Sequence, residues 1–67
     1  MSIIRKRLEA SRIFRGKFKE ARTSGMDVQE SIDHALEFTR EKYAADPDWE
    51  KILTMLMEII KILLVFL

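Results

Sequence analysis

A chain of 67 residues without cysteine makes one domain at most, and it has neither disulfides nor thiolate zinc sites to reinforce a core that buries only about 60% of the unfolded surface. Its composition, 48% hydrophobic and 34% charged with one proline and two glycines, belongs to a folded helical protein and excludes a disordered one. The net charge is +1, yet residues 1 to 22 hold eight basic and two acidic side chains and the remainder four basic and nine acidic, so either the two halves attract each other or the basic one meets an anionic partner.

A single histidine cannot build a nitrogen-rich metal site in a monomer, which leaves oligomerisation as the available reinforcement. The opening MSIIRKRLEA lacks the apolar run and small-residue cleavage site of a secretory signal, so a cytoplasmic location is expected.

The first helix is expected over residues 3 to 23. Ile4, Leu8, Phe14, Phe18 and Ala21 fall on one side of a helical projection, with Arg7 intruding and Ile13 outside the stripe. Gly16 is a weak point or a place of close approach, since glycine in mid-helix costs about 1 kcal/mol relative to alanine. Thr23, Ser24 and Gly25 supply the stop, Gly25 being suited to the left-handed position after a helix end.

The second helix is expected over 27 to 45. Asp27 caps it and Glu30 stands at the capping-box spacing. Val28, Ile32, Ala35, Leu36, Thr39 and Tyr43 form an apolar stripe about 100° wide. Phe38 lies off that stripe, which suggests contact with a second neighbour.

Pro47 ends the second helix, because the residue before a proline is pushed out of helical dihedrals. The third helix is expected over 47 to 67, with Asp46 as cap, Pro47 in the first helical position, and Asp48 and Glu50 at the positive end of the dipole. Its polar residues Glu50, Lys51, Thr54, Glu58 and Lys61 fall within about 100° of one another, leaving roughly 220° apolar. That arc is wider than two neighbours cover, and an uncovered remainder marks a partner surface. The residues expected at an oligomer interface are Trp49, Ile52, Leu53, Leu56, Ile59, Ile60, Leu63 and Phe66, with Met55 and Ile62 flanking them. The closing run ILLVFL is an aggregation hazard unless covered.

The fold class expected is therefore all-α: a charged antiparallel hairpin plus a strongly apolar C-terminal helix, assembled into a homo-oligomeric bundle. The leading function is a non-enzymatic interaction or assembly module joined through its third helix to copies of itself, or to another protein. The longest apolar run is six residues, too short to span a bilayer. A peripheral membrane association through that helix is the second reading.

The third reading is nucleic-acid binding by a basic stripe, Arg5, Arg12, Arg15, Lys19 and Arg22, beside Phe14 and Phe18. Against it stands an acidic stripe on the second helix, Glu30, Asp33, Glu37 and Glu41, which would screen the basic one within the hairpin or across a dimer. His34 with Glu30 and Glu37 shares a face, but the order is the reverse of the Glu-x-x-His used in carboxylate-bridged metal bundles, and a surface histidine is the expectation. Met26, Met55 and Met57 could line an adaptable groove, although core packing is the simpler reading. No catalytic constellation, metal site or cofactor is implied.

Overall fold

The computed structural model describes residues 3 to 66 and holds three helices: α1 at Ile3–Thr23, α2 at Val28–Tyr43 and α3 at Trp49–Phe66. Among the described residues there is no strand, so the all-α class holds. Leu67, assigned to the third helix from sequence, lies outside the described residues.

α1 stops where the glycine demands it. Gly25 has φ +105°, a region that costs a residue with a Cβ about 1 to 2 kcal/mol. The Met26 N–H donates to the Ala21 carbonyl at 3.0 Å and the Gly25 N–H to that of Arg22 at 3.1 Å, the two reversed bonds of a Schellman ending. The Ser24 hydroxyl and the Arg22 guanidinium donate to the carbonyls of Ala21 and Met26, both at 2.8 Å. The bonds to the Ala21 and Arg22 carbonyls satisfy acceptors that a helix end leaves open.

α2 starts as expected, with the Asp27 carboxylate accepting from the Glu30 N–H at 2.8 Å. A shared side-chain hydrogen bond and the charge of Asp27 hold the Glu30 carboxyl above its ordinary range. The helix runs antiparallel to α1, since its last residue, Tyr43, bonds through its hydroxyl to the Glu9 carboxylate near the start of α1. It ends two residues earlier than expected, the Ala44 N–H closing it on the Arg40 carbonyl at 2.7 Å.

The entry to α3 differs from expectation. The Asp46 carboxylate accepts from the Asp48 N–H at 2.9 Å, and the Trp49 N–H donates to the Asp46 carbonyl at 3.0 Å. Asp46, Pro47 and Asp48 thus form a turn of their own, of the kind an aspartate makes by bonding to its backbone two residues on. The first helical bond runs from the Ile52 N–H to the Asp48 carbonyl at 3.0 Å. Pro47 therefore sits in the turn, where its fixed φ is equally acceptable, and not at the first helical position.

Lys6 ties this turn to α1. Its Nζ lies 3.2 Å from carboxylate oxygens of both Asp46 and Asp48. Those hydrogen bonds raise the Lys6 pKa, that from Asp46 foremost. Asp46 is lowered, first by the Asp48 N–H and also by Lys6. Burial, and then the bond to Glu9, pushes the Tyr43 hydroxyl up to about 12.

The hairpin seam corrects the expected face of α1. Ala10, Phe14 and Ala21 are buried and Ile13 packs on the core, while Ile4 and Leu8 stand 67% and 58% exposed. On α2, Ser31, Ala35 and Thr39 have no exposed surface; small side chains of this kind let two helix backbones approach closely. The Thr39 hydroxyl donates to the Ala35 carbonyl at 2.8 Å, and among the described residues no buried side-chain polar atom lacks a partner. Gly16 needs no neighbour to explain it: a Cβ there would meet nothing within 4 Å. Off the seam, Lys17 Nζ sits 4.3 Å from the centre of the Phe38 ring; Lys17 belongs to α1, the helix α2 already packs on, so this contact is not the second neighbour expected of Phe38, which is 40% exposed.

Candidate interaction surface

α3 covers the hairpin with the middle of its apolar arc. Ile52, Leu56 and Ile60 recur every fourth residue on one stripe, and they join Ala10, Phe14, Ile32, Ala35 and Tyr43 in the core. Three of the eight residues expected to meet a neighbouring chain are therefore enclosed by their own. The reason is that a 220° arc offers any stripe within it, and the nearest apolar surface takes the central one. Trp49, Leu53, Ile59 and Leu63 are half-buried, and Phe66 is 82% exposed.

What remains uncovered lies on two flanks. On the α1 side, Met55 and Ile59 join Ile4, Arg7, Leu8 and Ser11 in lining an apolar groove of about 270 Å³. Helical spacing continues this flank through Ile62 and Phe66, both exposed. On the α2 side, Trp49 and Leu53 line a second, more polar groove of about 520 Å³ with Leu36, Asp33, Glu37 and Arg40. Met57 and Leu64, also exposed, extend that flank. Between the flanks, opposite the core, runs an exposed polar edge of Glu50, Lys51, Thr54, Glu58 and Lys61.

Sequence reasoning placed Ile4 and Leu8 in the core and so missed their half of the first groove. The signal was present: both project onto the same arc of α1 as Arg12, Arg15 and Lys19, a face too basic to be buried. Of the methionines, Met55 borders the groove and Met57 is exposed, so neither belongs to the enclosed core.

The charged stripes do not meet within the hairpin. Arg12, Arg15, Lys19 and Arg22 are exposed, as are Glu30, Asp33, Glu37 and Glu41, each set projecting opposite the buried face of its own helix. Among the described residues no ion pair joins those four basic side chains to α2. The pairs that do form on the helix surfaces are Lys17 with Glu20 and Arg40 with Glu37, while Arg15 and Arg22 donate to backbone carbonyls. Arg5 is also exposed and is engaged within the chain. The screening expected within one hairpin is thus absent, because two helices joined by a short turn bury their apolar stripes and turn both charged stripes outward. The result is a basic α1 side and an acidic α2 side.

His34 is exposed on the acidic face, and among the described residues no three acidic, histidine or cysteine side chains are placed to hold a metal ion. No helix among the described residues is long and apolar enough to cross a membrane. No protein-family model matches the chain, and no curated protein and no solved structure matches it either.

Proposed function

We propose that the chain is a cytoplasmic, non-enzymatic assembly module that associates with copies of itself through α3. The observation that carries this reading is the apolar surface left on both flanks of that helix by a fold whose core is already closed. Met57, Ile62, Leu64 and Phe66 are all exposed, the last at 82%. The chain exposes 4838 Å² at 7.9 kDa, about a tenth more than the roughly 4,400 Å² that size scaling gives. Each Å² of apolar surface removed from water contributes about 25 cal/mol, and the grooves beside α1 and α2 offer concave seats for a neighbour's side chains.

In this reading Trp49, Leu53, Ile59, Leu63 and Phe66 remain contact residues, while Ile52, Leu56 and Ile60 support them from beneath. Static light scattering on the full chain at micromolar concentration tests it. The expected mass is a multiple of 7.9 kDa that persists without detergent, and a single-chain mass with native helicity refutes it.

A peripheral membrane role is the second reading, favoured by the last turn of α3, where Ile62, Leu64, Val65 and Phe66 are exposed in several directions at once. Flotation of the protein with vesicles, together with a single-chain mass in their absence, supports that reading over the first.

A further inference from the structure

We propose that copies of the chain assemble head to tail, the α1-side flank of one α3 seating on the α2-side flank of the next, and that the contact closes a ring of at least three copies. The inference rests on the self-association reading and adds its symmetry.

Two observations carry it. The flanks lie about 180° apart on α3 by helical projection, one centred on Met55, Ile59 and Ile62 and the other on Leu53, Met57 and Leu64. A two-fold contact uses one patch twice, so it covers one flank and leaves the other bare on both copies; a head-to-tail contact covers both with a single interface.

Charge supplies the second observation. The α1-side groove is lined by Arg7, with Arg12 and Arg15 exposed farther along the same helix. The α2-side groove is lined by Asp33 and Glu37 together with Arg40. A two-fold contact through the α1 side sets arginines against arginines. The head-to-tail contact sets the basic α1 of one copy beside the acidic α2 of its neighbour, which gives the two stripes the screening they lack inside one hairpin.

The closure follows from shape. Each copy is two helices wide at the hairpin and one helix wide at α3, and such wedges set side by side curve toward the narrow end. α3 then stands on the inside of the ring, its apolar flanks on its neighbours and its polar edge of Glu50, Lys51, Thr54, Glu58 and Lys61, which Val65 shares, toward the axis. All six of those residues are exposed in the single chain.

The chain's lack of cysteine allows a direct test. Ile62 and Leu64 are 57% and 53% exposed on opposite flanks and differ by only about 3 Å in height along the helix. Rotation about a ring axis brings the two to the same level in neighbouring copies. The full chain is prepared as Ile62→Cys, Leu64→Cys and the double variant, each treated with a short bis-maleimide, with helicity checked by circular dichroism and mass by light scattering.

The expected result is no covalent dimer from either single variant, a 1:1 covalent pair when the two are mixed, and a ladder of multimers ending at the native mass from the double variant. An assembled mass with covalent dimers from one single variant overturns the head-to-tail contact and leaves self-association standing. An assembled mass with no cross-link from the mixture overturns it as well. A single-chain mass overturns both readings, and if that species floats with vesicles the flanks belong to lipid. Should either cysteine variant lose helicity, Leu8→Cys on the α1 side and Met57→Cys on the α2 side replace the pair, with the same outcomes.

Discussion

Replacing Leu56 with alanine separates what holds one chain together from what holds copies together. Leu56 has no exposed surface and lies in the core with Phe14, Ile32 and Ile52. Removing its three terminal carbons from a closed site costs about 3 kcal/mol, the lower part of the range for such changes. A chain of 67 residues has a total stability of about 3 to 10 kcal/mol and an unfolding entropy near 0.14 kcal/mol/K. The expected fall in Tm is therefore about 20 °C, enough to unfold much of the protein at 37 °C. Ile62→Ala is the matched control, because Ile62 is 57% exposed in the single chain and truncation at such a site changes the fold by no more than about 0.5 kcal/mol. Its effect should appear instead as a higher protein concentration needed for assembly. Urea unfolding followed by circular dichroism at two protein concentrations, with light scattering alongside, measures both. A loss below about 1 kcal/mol for Leu56→Ala, or an equal loss of fold stability for Ile62→Ala, would refute the division of α3 into an inner stripe and outer flanks.

Three further outcomes are expected. Gly16→Ala should stabilise the fold by about 1 kcal/mol, or roughly 7 °C in Tm, because the new Cβ meets nothing within 4 Å and alanine is the better helix former; a loss of stability in a thermal melt would mean that something packs on that face. Ala35→Leu should destabilise by about 1 to 3 kcal/mol by forcing α1 and α2 apart at a site with no free surface, and an unchanged urea midpoint would show that the seam is loose.

The turn before α3 should give the fold a pH dependence with a definite sign. Asp46 is held below its ordinary 3.8, so its contribution is full above that value and is lost as pH falls through the folded value. Lys6 is raised above 10.5, and its contribution is full below that value and lost as pH rises beyond it. Tyr43 is raised from 10.0 to about 12, so its contribution too is lost on the alkaline side, between those values. Chemical denaturation across pH should show Asp46→Asn removing part of the acid-side loss and, because the bond to Asp46 is the foremost cause of the Lys6 shift, part of the alkaline-side loss as well, while the share of Tyr43 due to burial and Glu9 stays; an acid limb identical to that of the parent chain would sink the assignment to Asp46.

The sequence by itself determined the elements that rest on local chemistry. Gly25, the residue able to take a positive φ there, predicts the end of α1 at 23, and the Asp27 cap predicts the start of α2; both are found as expected. The buried face of α2 was equally legible, since Val28, Ile32, Leu36 and Tyr43 leave one apolar direction. Tertiary structure alone decided the rest. The core face of α1 is built from Ala10 and Ala21 around Phe14, and alanines carry little weight in a hydropathy pattern although they permit the closest helix contact. Ile4 and Leu8 outweighed them on paper, yet they are left outside. The same limit applies to α3. An apolar arc of some 220° states that several neighbours are needed, but which stripe turns inward depends on where the hairpin lies. Its position fixes Ile52, Leu56 and Ile60 as core and gives α3 an apolar flank bordered by Arg7 on one side and a flank bordered by Asp33, Glu37 and Arg40 on the other.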